Sequence, residues 1–163
     1  MKRVVFIGQA MPRFKKDLHD WPSLNTWLYS IGLTDNQIRE NFFYSALVDY
    51  FPGSIKGSHR VPTEAEISKD RKRLSRTISY FNPDIIVTIG KLSLSKCIGE
   101  EIKLLDKFIG KSFNLDPYKL IGKELLIIPL PHPSGASTWY RTPANKKLLN
   151  KALTLLRRSL FRS

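Results

Sequence analysis

At 163 residues and 18.8 kDa, with 42% hydrophobic residues, the chain has the length of one compact domain, 1–163, that buries its core without metal or disulfide staples. Cys97 is the lone cysteine and His19, His59 and His132 are scattered, which excludes an intramolecular disulfide and a four-cysteine metal site and leaves a mechanism without metal or cofactor as the expectation. Lys and Arg number 27 against 14 Asp and Glu, a formal charge of +13, beyond the roughly 2 to 8 that solubility asks of a small domain, and a mean hydropathy of −0.24 with 11% aromatic residues rules out a disordered polybasic tail.

The first element in chain order is Arg3 to Gly8, a β-branched run stopped by glycine, as expected of a strand buried on both faces. Trp21 to Ile31 opens with Pro22 and Ser23 and has helical spacing. Thr34 with Gln37 is a capping box for a short helix. A second strand, Phe42 to Val48, follows, and a second capping box, Thr63 with Glu66, starts a helix from Glu64 to about Phe81. On that helix Ile67, Leu74, Ile78 and Phe81 form the apolar stripe, and Arg71, Lys72, Arg73 and Arg76 occupy much of the remainder. Ile85 to Ile89 and Leu125 to Pro129 complete a set of four strands. Pro143 then begins a last helix with Leu148, Leu149, Ala152, Leu153, Leu156 and Leu160 inward and Lys146, Lys147, Lys151, Arg157 and Arg158 outward. Trp27, Phe42 and Phe43 are expected in the core.

Alternating strands and helices predict an α/β fold: three α/β/α layers around a central, mostly parallel, four-stranded sheet. Ligands of such sheets sit beyond the carboxyl ends of the strands. Those ends lead into Gly8 to Pro12, Asp49 to Gly53, Gly90 to Ser93 and Leu130 to Ser137, all expected to be loops. In the last of them His132 is locked between Pro131 and Pro133, so a stiff backbone aims the imidazole. Ser134-Gly135-Ala136-Ser137 adds hydroxyls and amide donors suited to a phosphate. Gln9 supplies an amide that can donate and accept, and Asp17 and Asp20 are the nearest downstream carboxylates able to orient a water. Trp21 and Trp139 stand where a base could stack or a wedge enter a duplex. The basic residues lie on the 71–76 helix, in the Lys15-Lys16 and Lys56 to Arg60 segments and on the last helix. Such a distributed positive field suits a polyanion such as nucleic acid. No apolar run reaches the ~18 to 20 residues of a membrane span, and the N-terminus lacks the layout of a secretory leader. A cytoplasmic, nucleoid-associated monomer with no membrane partner is expected.

Two segments give these features a family. Val5-Phe6-Ile7-Gly8-Gln9-Ala10 resembles the water-activating motif of the uracil-DNA glycosylase superfamily, and Pro129 to Ser137, with HPSGAS at its heart, resembles its histidine-bearing motif. Arg60-Val61-Pro62-Thr63 with Glu66, and Pro83 to Gly90, look like stretches of the bacterial and archaeal branch that usually carries an iron–sulfur cluster, although the cluster cysteines are missing and Tyr50 stands in this region. The resemblance implies a monofunctional glycosylase that flips uracil or a related deaminated base out of DNA and hydrolyses its N-glycosidic bond in base-excision repair. It implies that His132 stabilises the leaving base anion and that Gln9 assists it. Gly8, Ala10 and Ser45 would meet the base, and Ser134, Gly135 and Ser137 would hold DNA phosphates. No acid follows Gly8 where many relatives place an Asp, and no Asn occupies Tyr44-Ser45-Ala46-Leu47, so the base preference is left open. Two alternatives remain: a non-catalytic nucleic-acid-binding module on the same fold, and a hydrolase of small nucleotides using the same pocket.

Overall fold

The computed structural model describes residues 1–12, 21–133 and 138–163. Its centre is a five-stranded sheet in the order β2-β1-β5-β7-β6, built from β1 (Val4–Ala10), β2 (Phe42–Val48), β5 (Ile85–Ile89), β6 (Phe113–Leu115) and β7 (Leu125–Leu130). The four expected strands are all present and mutually parallel, with Val4 opposite both Phe42 and Ile85 and Ile86 opposite Ile127. The expectation of four strands is corrected by β6, which adds to β7 antiparallel, Phe113 opposite Ile127. Three residues of alternating burial give too short a pattern to register as a strand in sequence. A two-residue hairpin, β3 (Ser54–Ile55) with β4 (Ser58–His59), lies outside the main sheet.

Helices α1 (Pro22–Ser30), α2 (Asp35–Asn41) and α5 (Pro143–Leu160) cover one face, and α3 (Glu64–Phe81) and α4 (Gly90–Ile98) the other. Each face has its own core. On the first, Leu24, Leu28, Ile38, Leu153 and Leu156 close over Phe6, Tyr44, Val87 and Ile128. On the second, Ile67, Leu74, Ile78 and Cys97 close over Val5, Ile7, Ile86 and Ile127. Period-two alternation along the strands sends neighbouring residues into different cores.

Local chemistry sets the helix ends. Both capping boxes form: the Thr34 hydroxyl accepts from the Gln37 amide and the Thr63 hydroxyl from the Glu66 amide, with each glutamine or glutamate accepting in return from the threonine N–H. The Thr142 hydroxyl accepts from the Asn145 amide ahead of Pro143 at the first position of α5. β5 runs straight into α4 through Gly90 at φ +82, so Gly90 to Ser93 is the first helical turn and not the expected loop. Trp27 is half-buried and Phe42 buried, but Phe43 is 42% exposed. It is the second residue of the edge strand β2, where the Phe81 ring stacks on it at 5.1 Å. No helix among the described residues is long and apolar enough to cross a membrane.

Candidate active site

At the carboxyl edge of the sheet, β1 ends in Gly8, Gln9 and Ala10, with Gly8 opposite Ala46 and Ala10 opposite Val48. The strand continues two residues past the glycine expected to stop it. His132 follows two residues after β7. Because β5 lies between β1 and β7, their ends are separated by about 10 Å at ~4.8 Å per strand.

Aromatic side chains span that gap. Trp21, immediately before α1, packs on the Tyr44 ring at 5.4 Å between centroids with an interplanar angle of 33°. The same indole meets the His132 imidazole edge-on at 5.7 Å and 67°. The Tyr44 hydroxyl in turn lies against Gly8: a Cβ at that position would fall 2.3 Å from it. Glycine is therefore required here by close approach, and its φ is ordinary. Gly8, Tyr44, Trp21 and His132 form one continuous contact chain from the end of β1 to the end of β7. Burial raises the pKa of Tyr44, so the phenol stays neutral and its hydroxyl remains a hydrogen-bonding group. His132 itself is half-buried between two buried prolines, with Nδ1 turned inward.

The remaining predicted residues separate into three groups. Gly8, Gln9 and Ala10 sit on this edge as expected, the glycine buried and the other two half-buried. Asp17, Asp20, Ser134, Gly135 and Ser137 lie outside the described residues. The other three have these surroundings. Ser45 is 4% exposed and its hydroxyl accepts from Arg73 Nη1 at 2.9 Å, so it is committed beneath α3 and does not face a base from the Trp21 side. Trp21, expected to stack on a base or wedge into a duplex, is 6% exposed with its ring between Tyr44 and His132. Trp139 is pinned: its indole N–H donates to Asp106 Oδ1 at 2.6 Å and its ring packs on the core, which withdraws it from insertion into a helix.

Sequence reasoning missed Tyr44. The available signal was parallel register: Gly8 opposite Ala46 brings the residue two positions earlier, on the same face of β2, beneath the glycine. It also missed Asn25, a buried amide one helical turn beyond Trp21.

The loop after β2 was correctly placed at this edge but is tied to α3. The Tyr50 hydroxyl donates to Glu66, Arg60 donates to both Glu66 oxygens at 2.6 and 3.0 Å and to Pro52 O at 2.7 Å, and the Asp49 amide donates to Asp70 at 2.8 Å. The Arg60 guanidinium, then the Tyr50 hydroxyl and the Thr63 amide, hold the Glu66 carboxyl well below the usual carboxylate range.

An iron–sulfur cluster requires thiolates. Cys97 is buried on α4, where desolvation pushes its thiol up to about 12, and no three His, Cys, Asp or Glu side chains among the described residues converge on a possible metal position. The residues of this chain do not fit such a cluster.

A layered α/β/α fold places its ligand sites at the carboxyl ends of the strands, and the proline-braced histidine and the glycine strand end both lie on that edge. Residues 1–157 match the uracil DNA glycosylase superfamily, and the chain belongs to that superfamily. It is similar to the type-4 uracil-DNA glycosylase of Saccharolobus solfataricus, 30% identical over 152 residues that cover 89% of this chain and 66% of the relative. A second protein of that description, from Sulfurisphaera tokodaii, is 34% identical over 82 residues, covering 48% of this chain and 36% of the relative. The chain thus spans about two thirds or less of the lengths of these curated relatives.

Proposed function

We propose that this protein is a DNA glycosylase that hydrolyses the N-glycosidic bond of uracil or a related deaminated base in DNA, without a lyase step. The observation that carries the reading is the contact chain from Gly8 through Tyr44 and Trp21 to His132. It joins the two segments that resemble the family's motifs into one contact cluster.

The chemistry follows from what the bond demands. Cleavage develops cationic character on the sugar and negative charge on the departing base, while water meets the sugar from the opposite face. His132 donates to the base oxygen that becomes anionic. A preorganised donor of this kind is worth about 2.7 to 4 kcal/mol when it is removed from comparable sites. The backbone at Gly8 to Ala10 and the Gln9 amide meet the base or hold the water. Trp21 and Tyr44 supply a dry apolar wall, which strengthens the donor's interaction with developing charge. The base reaches His132 only after leaving the duplex, at a cost of a few kcal/mol that is smallest at a mismatched or damaged pair. Family membership and the similarity to type-4 uracil-DNA glycosylases support uracil as the first substrate to try.

The test is incubation with single- and double-stranded oligonucleotides carrying uracil, hypoxanthine or xanthine, followed by alkaline cleavage of abasic sites. His132→Ala is expected to lower the single-turnover rate by about 10²- to 10³-fold with an unchanged circular dichroism spectrum. Excision at the parental rate by that variant refutes the assigned mechanism. Salt-sensitive DNA binding with no abasic product from any lesion would instead select the non-catalytic binding module.

A further inference from the structure

Helix α5 starts beside the candidate site, capped by Thr142 just after the Trp139–Arg141 turn, and runs 18 residues down the flank of the molecule. At 1.5 Å per residue that is about 27 Å. No Asp or Glu follows Glu124 in the sequence. On the outer face of the helix Lys147, Lys151, Arg158 and, just past its end, Arg162 are exposed along one side, and none of them has an ion-pair partner among the described residues.

Two shallow depressions follow this side. The first, about 380 Å³, is bounded by Gly110, Asn150, Lys151, Thr154, Leu155 and Arg158. The second, about 730 Å³, shares Thr154 and Arg158 with it and continues past Phe161 to Arg162. Together they make one groove with cations, a hydroxyl and an amide along it, no carboxylate in its lining, and at its far end the ring of Phe161, 49% exposed. Gly110, at φ +87, sets the upper wall: the Lys151 stem lies so close that a Cβ there would be 3.1 Å from its Cδ.

We propose that this groove is a track for single-stranded DNA. A cationic groove with an aromatic platform is the physical recipe for sequence-tolerant binding of a single strand, the charges following phosphates and the ring taking a base. Turning duplex DNA from the carboxyl edge of the sheet down its flank costs bending energy that a flexible single strand does not pay. A lipid surface is the poorer fit, because Leu149, Leu153, Leu156 and Leu160, the apolar side such a helix would insert, are buried in the core. The choice of a single strand rests on the proposed function, and uracil-free DNA separates the two, because binding along the groove is read without excision.

The experiment measures fluorescence anisotropy of a uracil-free 30-nucleotide single strand, the matching duplex, and phosphatidylserine-containing vesicles between 50 and 200 mM salt. The parent protein is compared with the triple variant Lys151→Gln, Arg158→Gln, Arg162→Gln, and with Phe161→Ala. For the single strand, the triple variant is expected to bind about tenfold more weakly and to lose about 2 from the slope of log K against log salt, at ~0.7 per phosphate contact. Phe161→Ala is expected to weaken binding by about fivefold with the slope unchanged, and duplex affinity to stay the same in all proteins. Unaltered single-strand binding by the triple variant overturns the proposal. So does an equal loss on duplex, or a loss confined to vesicles.

Discussion

Helices α3 and α5 are both 18 residues long and both rich in Lys and Arg, yet their cations do different work. On α3 the arginines are woven into the fold. Arg73 donates to Ser45 Oγ, to Ala46 O at 2.6 Å and to Asp70 at 2.8 Å, and Arg71 donates to Tyr118 O at 3.0 Å. Glu64 at its start pairs with Lys96 of α4, and Glu66 holds Arg60. On α5 only Arg157 is so engaged, donating to Ile31 O and lying over the Phe161 ring. A net charge of +13 is therefore two populations. One fastens β2 and the following loop to α3; the other stands in solvent, where its field reaches about a Debye length of ~8 to 10 Å.

Substitutions separate the populations. The largest stability effect is expected from Arg73→Ala, which leaves Asp70 with the Asp49 amide alone and removes a donor from the buried Ser45 hydroxyl and Ala46 carbonyl of β2. A loss of about 2 to 3 kcal/mol would lower the thermal midpoint by roughly 5 to 10 °C in a domain of this size. Next comes Glu66→Gln, whose effect depends on pH. Folding holds the Glu66 carboxyl below its ordinary value, so its contribution is present above about pH 4.3 and is lost as pH falls from there toward the folded value. The variant should be less stable than the parent at pH 7 and converge with it in acid, a difference that denaturant titrations at pH 7 and pH 3 would register. Smallest is Lys147→Gln on α5, expected within about 0.5 kcal/mol of the parent. A midpoint shift as large as that of Arg73→Ala would erase the distinction between the two helices.

Much of the fold was legible because long elements carry redundant signals. β2 and β5 were bounded to the residue, and both capping boxes form as their spacing predicts. β6 was not legible, since a three-residue antiparallel edge depends on its neighbour and not on its own pattern. Nor was α4, of which no part was expected, because Gly90 reads as a breaker but serves as the pivot from strand to helix. The site divides the same way. His132 and Gly8 announce themselves through rigid or permissive neighbours in sequence. The wall between them is legible only in part: Trp21 stood out as a stacking candidate, whereas Tyr44 is an ordinary aromatic until the register of β1 and β2 sets it near Gly8 and α1 lays Trp21 on its ring. The partner of Ser45 was hidden for a related reason: Arg73 is 28 residues away and arrives only when α3 packs down.

The central position of β1 also governs how the molecule is assembled during synthesis. Val4 to Ile7 leave the ribosome early, yet their neighbours on the two sides, Phe42 to Ser45 and Ile85 to Thr88, are made much later. Such long-range pairing is slow because loop closure precedes its reward. Until the second neighbour appears, the most apolar stretch of the N-terminal region exposes an open hydrogen-bonding edge, so nascent chains ending before Ile89 should be the ones that aggregate or recruit chaperones.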